Sequence, residues 1–79
     1  MKPERLFRIG AISASVFVNE VDGEGGKRTV RNVNLQRRYK DGDEWKSSSS
    51  FSLPDLPTAI AVLNLAFEHL ASQEAVIES

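Results

Sequence analysis

Apolar and polar residues alternate through the middle of the chain. Val33 and Leu35 fall on one parity, and Asn32, Asn34, Gln36 and Arg38 fall on the other. Side chains in a strand point to opposite faces in turn, so Arg28–Lys40 predicts a half-buried strand with one apolar and one polar face. Phe7–Glu20 predicts a strand before it, with Ile12, Ala14, Val16 and Val18 on one face and Ala11, Ser13, Ser15, Phe17 and Asn19 on the other. Gly10 inside that run predicts a bend or bulge. The glycines of Val21–Gly26 supply the positive-φ positions of a hairpin turn. At about 3.3 Å per residue the central strand would reach roughly 46 Å, long for a small domain. Val30 is also out of phase with Val33 and Leu35, so a bulge near Arg31 and strong curvature are expected.

Asp41–Asp43 reads as a second hairpin turn, and Trp45–Leu53 as a third strand, preferred over a flexible loop through the serine run because aromatics bracket that run in register. Trp45, Phe51 and Leu53 share one parity and are expected to anchor the core. Lys46, Ser48, Ser50 and Ser52 share the other. The helix is expected from Leu56 to Ser72, roughly 25 Å long, with Asp55 as its N-cap and Pro57 in its first turn. Leu56, Ala59, Ile60, Val62, Leu63, Ala66, Phe67, Leu70 and Ala71 fill about half of its circumference, and Leu65 is stranded among polar residues. That stripe is wide for one small sheet. It predicts a twofold dimer in which Leu63, Leu65, Phe67 and Leu70 meet a second copy.

The fold class expected is therefore α+β: a curved antiparallel sheet of three to four strands packed on one C-terminal helix. The 79 residues make one domain, with residues 1–6 as a frayed lead-in and residues 73–79 as an acidic tail. The chain has no cysteine and a single histidine, which removes disulfides, thiolate or multi-histidine metal sites and a thiol nucleophile. No metal or cofactor is expected, and no acid–base pair or triad can be placed, so an enzyme is not expected. The acids of the second turn lack the spacing of a calcium loop, and the glycine-rich turn lacks the lysine–serine pair of a phosphate loop. No apolar run is long enough for a bilayer, and Met1–Phe7 is charged, so a cytoplasmic protein is expected, nucleoid-associated if it binds DNA.

A formal charge of -1 conceals a segregation. All 10 Lys and Arg lie in residues 1–46 with seven acids, a balance of +3, while residues 47–79 hold four acids and no base, a balance of -4. A basic sheet and an acidic helix would turn a polyanion toward the sheet. The outward residues Phe17, Arg28, Asn32, Asn34, Gln36, Arg38, Lys40 and Lys46 form a cationic, amide-rich face without a carboxylate. Such a face is either solvated or meets phosphates and bases. Phe17 is either ordinary surface or a stacking platform, and the outward serines are either solvated or donors to phosphate oxygens.

Several words occur in a telling order. FRIG at Phe7–Gly10 is followed by a glycine-rich turn into Lys27, the aliphatics Val33 and Leu35, and Arg-Arg-Tyr-Lys-Asp at its end. After a Gly-acidic turn comes Ser-Leu-Pro-Asp at Ser52–Asp55. Across residues 7–72 this set resembles the C-terminal domain of the transcriptional coactivator positive cofactor four and, more distantly, the plant Whirly proteins. The resemblance implies binding of single-stranded DNA in a transcription or replication accessory role, with two copies paired through their helices. It implies phosphate contacts for Lys27 and Arg28, an outward basic position at Gln36, a stacking position at Tyr39, and basic positions at Ser48 and Ser49. Gln36 and the two serines depart from that pattern and lower the affinity it implies. The competing expectation is a small homodimeric adaptor that binds an unknown protein through its sheet edge or face.

Overall fold

A computed structural model describes residues 2–74. Four antiparallel strands in sequential order carry one long helix on one face. The strands are β1 (Arg5–Ile9), β2 (Ile12–Gly23), β3 (Gly26–Asp41) and β4 (Glu44–Ser48). A short 3-10 turn, Leu53–Asp55, leads into α1, Leu56–Glu74. The α+β class read from the sequence is the class observed.

The first predicted strand is in fact two. The chain reverses at Gly10–Ala11, which pairs Ile9 with Ile12. Gly10 has φ +60°, a conformation that costs L side chains and suits the first position of a two-residue hairpin. The lead-in is therefore not frayed to Leu6. Arg5 opens β1, and the Glu4 amide donates to the Val16 carbonyl at 2.7 Å. Met1 lies outside the described residues.

No bulge interrupts β3. Its register against β2 runs unbroken from Ile12↔Arg37 to Gly23↔Gly26, with Arg31 opposite Val18. Alternation is therefore constant, and Val30 takes the face opposite Val33 and Leu35. The apparent phase error arises because the helix covers only part of β3. Beyond the helix, neither face has to be apolar. Sixteen residues of β3 at about 3.3 Å each give roughly 53 Å, close to the molecule's 51 Å long axis.

The sheet is strongly staggered. β1 pairs with Ile12–Val16 only, and β4 pairs with Arg37–Asp41 only. A single row, Ile9–Ile12–Arg37–Ser48, crosses all four strands. On either side of the body β2–β3 and β3–β4 continue as two-stranded arms. β4 stops at Ser48, so the expected strand to Leu53 is cut short, and Leu53 is 79% exposed rather than in the core.

The core is Ile12, Ala14 and Val16 of β2 against Ala59, Val62 and Ala66 of α1, ringed by Phe7, Val33, Leu35, Phe51 and Leu70. Alanines on the helix let its backbone approach the sheet closely. Less of the predicted helical stripe is buried than expected, since Leu56, Ile60, Leu63 and Phe67 remain exposed. Helix entry also differs. Ser52 caps the 3-10 turn, and its amide donates to Asp55 Oδ2 at 3.0 Å, so Asp55 acts from inside the turn rather than as the N-cap of α1. Arg37 ties this entry to β3 through the Ser50 carbonyl at 3.2 Å and Asp55 at 3.5 Å. The helix runs two residues beyond the expected Ser72, and the predicted acidic tail from residue 75 lies outside the described residues.

At the other end of the helix Glu4 collects two donors. Arg31 grips both carboxylate oxygens at 3.1 and 3.2 Å, and His69 Nε2 lies 2.8 Å from Oε2. The Arg31 hydrogen bonds, then that of His69, hold the Glu4 carboxyl below the usual glutamate range, and Glu4 raises Arg31 in turn. His69 also lies beside Phe7, with ring centroids 6.0 Å apart. The lead-in, β3 and the helix are thereby tied at one point.

Candidate nucleic-acid interface

Because the register is unbroken, each strand residue can be assigned to the helix-covered face or the open one. Leu6 and Arg8 of β1, the odd residues Ser13–Val21 of β2, the even residues Arg28–Lys40 of β3, and Trp45 and Ser47 of β4 share the open face. Four cations lie there: Arg8, Arg28, Arg38 and Lys40. The strand carboxylates Glu20, Asp22, Asp41 and Glu44 all take the opposite parity. The open face is thus free of strand carboxylates by construction of the register, not by a local accident.

Between its charged ends the face is a polar track. Asn32, Asn34 and Gln36 stand exposed along β3, with Phe17, Ser15 and Ser13 as their cross-strand partners on β2. Gln36 and Arg8 flank Ser13, which is 9% exposed. Phe17 is half-buried.

At the β3–β4 end the face changes character. Trp45 sits opposite Lys40 and diagonal to Arg38, and it is 60% exposed. The Arg38 guanidinium lies 4.6 Å from the indole centroid, and Lys40 Nζ lies 5.9 Å from it. The expectation that Trp45 anchors the core is overturned. It rested on shared parity with Phe51 along one continuous strand. The strand ends at Ser48, so parity does not carry across the bend. The two-residue turn Gly42–Asp43, which sets Lys40 opposite Trp45, is the sequence signal that could have placed the indole outside.

Seven of the expected site residues meet on the open face: Phe17, Arg28, Asn32, Asn34, Gln36, Arg38 and Lys40. Lys27, Tyr39, Lys46 and Ser48 do not; they take the helix-side parity. Tyr39 directly follows Arg38, so strand alternation separates the two, and the Arg37 guanidinium lies 5.5 Å from the Tyr39 ring. Lys46 is paired across the strands with Tyr39, and its Nζ donates to Asp41 Oδ2 at 3.0 Å. The Ser48 hydroxyl accepts from the Ser50 amide at 3.0 Å, a local turn contact. Ser49 lies past the end of β4. Arg8 and Trp45 are the open-face residues that sequence reasoning missed.

The expected dimer residues also separate. Leu63 and Phe67 lie on an exposed stripe with Leu56 and Ile60, spaced four, three and four residues apart as one helix face requires. Leu70 is packed against the core, and Leu65, two residues from Phe67, lies on the opposite flank at 100° per residue.

Among the described residues no group of three or more His, Cys, Asp or Glu could hold a metal ion. No helix among them is long and apolar enough to cross a membrane. Comparison of the chain with protein-family models, with curated proteins and with solved structures returns no match.

Proposed function

We propose that the open face binds single-stranded nucleic acid, DNA in preference, without strict sequence selection. The observation that carries this reading is the face-by-face sorting of charge: four cations on the open side, every strand carboxylate on the other. Single-strand binders combine a cationic track for the backbone with aromatic platforms and polar groups for the bases. Here Arg8, Arg28, Arg38 and Lys40 would take phosphates, the amides would meet base edges, and Phe17 and Trp45 would stack. The ordered words shared with the positive cofactor four family support the same reading, as does an acidic helix on the far side of the sheet. A transcription or replication accessory in the cytoplasm or on the nucleoid is the setting this implies.

The test is a fluorescence-anisotropy titration with labelled oligo-dT and the matching duplex. If all four cations release counterions from a single strand, the log–log salt slope is about -3, or roughly fiftyfold weaker binding at 200 mM than at 50 mM salt. Absence of binding to the single strand at the lower salt refutes the reading.

The same proposal includes a twofold dimer through the exposed helix stripe, with Leu56, Ile60, Leu63 and Phe67 taking the place of the Leu63, Leu65, Phe67 and Leu70 set. Light scattering should give twice the chain mass of 8.7 kDa.

One observation favours a second reading. β4 covers only Arg37–Asp41 of β3, so the Gly26–Gln36 edge has no neighbouring strand among the described residues. Such an edge can accept an extended segment of another protein. An adaptor of that kind would leave oligo-dT free and would lose its partner on Thr29→Pro, which removes an amide directed away from β2.

A further inference from the structure

We propose that Trp45, Arg38 and Lys40 form one base-stacking subsite at the β3–β4 end of the open face, gripping one unpaired nucleotide of a single strand. The inference rests on the nucleic-acid reading above and makes it specific. Four observations carry it.

An indole is costly to leave in water, yet the chain's single tryptophan contributes nothing to the core and is 60% exposed. Two cations stand over or beside its ring at 4.6 and 5.9 Å, so a base on the indole would have positive charge within reach of its phosphate. The strand carboxylates of this arm, Asp41 and Glu44, take the other parity, and Asp41 is paired with Lys46 at 3.0 Å. The Arg38 amide still donates to the Ala11 carbonyl of the β1–β2 turn at 2.8 Å, and beyond Arg38 β3 has only β4 beside it on the arm that carries the indole.

The subsite continues the polar track without a break. Gln36, Arg38 and Lys40 follow one another on the same parity of one strand, about 6.7 Å apart. A strand lying along Asn32, Asn34 and Gln36 therefore reaches Arg38 and the indole in the next step. Arg38 has two duties there. It holds the ring in place by stacking on it, and it presents donors to the phosphate beside the stacked base. A plain cross-strand cation–aromatic pair would account for the Arg38–Trp45 distance alone. It would not require the exposed ring, the second cation and the absence of strand carboxylates on one face.

Because Trp45 is the only tryptophan, its emission reports on this subsite alone. Unlabelled oligo-dT is titrated into the 79-residue chain at about 50 mM salt, following tryptophan fluorescence, in parallel with anisotropy of a labelled strand. The expected result is quenching that saturates together with the anisotropy change. Trp45→Ala should weaken binding roughly five- to hundredfold, and Trp45→Phe should recover most of the loss. A thermal melt by circular dichroism shows whether each variant keeps its fold. Should Trp45→Ala lose the hairpin, quenching of the unaltered chain decides. Anisotropy that rises with unchanged emission, in a chain that binds equally well as Trp45→Ala, overturns the subsite while leaving the open-face reading intact. If anisotropy never rises, both fall.

Discussion

The two faces of one sheet are built from alternate residues of the same strands, and they obey different rules. The helix side holds the ion pairs of the described residues, among them Glu4 with Arg31 and His69, Arg37 with Asp55, and Lys46 with Asp41. On the open side, Arg8, Arg28, Arg38 and Lys40 share their face with hydroxyls, amides and aromatic rings, and with no strand carboxylate. A net charge of -1 therefore says little about what the protein attracts. What a ligand meets is the local field of one face, and alternation sorts that field residue by residue.

The sharpest way to break the comparison is to put the same charge on neighbouring residues of β2. Val16 is fully buried, and Val16→Asp should abolish folding. An unpaired buried carboxylate costs several kcal/mol, against a total of roughly 4–12 kcal/mol for a domain of this size. Ser15→Asp, one residue away on the open face, should keep the fold by circular dichroism and lose oligo-dT binding. If both variants unfold, or both bind, the two faces are not distinct in the way described.

A milder pair sharpens it. Arg38→Ala should reduce the salt slope of single-strand binding by roughly 0.7 and weaken stacking at Trp45. Lys46→Ala removes the same charge from the other face and should leave both slope and affinity unchanged. Equal losses from the two would mean that the ligand wraps the β3–β4 arm instead of lying on one side of it.

The smallest effect concerns the tie at Glu4. Its carboxyl is held below its unfolded value, so its stabilisation is complete above the ordinary glutamate pKa and is lost as pH falls through and beneath it. Glu4→Gln should lower the melting temperature slightly near neutral pH and flatten its decline on acidification. A decline as steep as that of the unaltered chain would assign the acid sensitivity to other carboxylates.

The sequence was most legible where a physical pattern runs without interruption. Val33 and Leu35 alternating with Asn32, Asn34 and Gln36 gave both the strand and its two faces. The helix was readable from its spacing and from the proline-rich entry. Across a turn the pattern loses phase. Gly10 reads from the sequence as a bend within one strand, although a glycine at +60° followed by one more residue is enough to reverse the chain. The serine run continues the parity of Trp45 as far as Phe51, but β4 ends at Ser48, and the indole stays outside the core. The resemblance places Tyr39 beside Arg38 in one site, against the alternation that separates neighbours in a strand.

Local chemistry by itself determined the central strand, the helix and the overall α+β class, because hydrophobic period and turn residues act over a few positions. Only the tertiary structure decided which parity of each strand the helix would cover, where β1 and β4 stop, and that a tryptophan would be left in water between an arginine and a lysine. Those outcomes depend on register across hairpins and on how far a 19-residue helix reaches over strands of unequal length. A residue's neighbours in sequence do not encode that reach; it is settled when the layers pack.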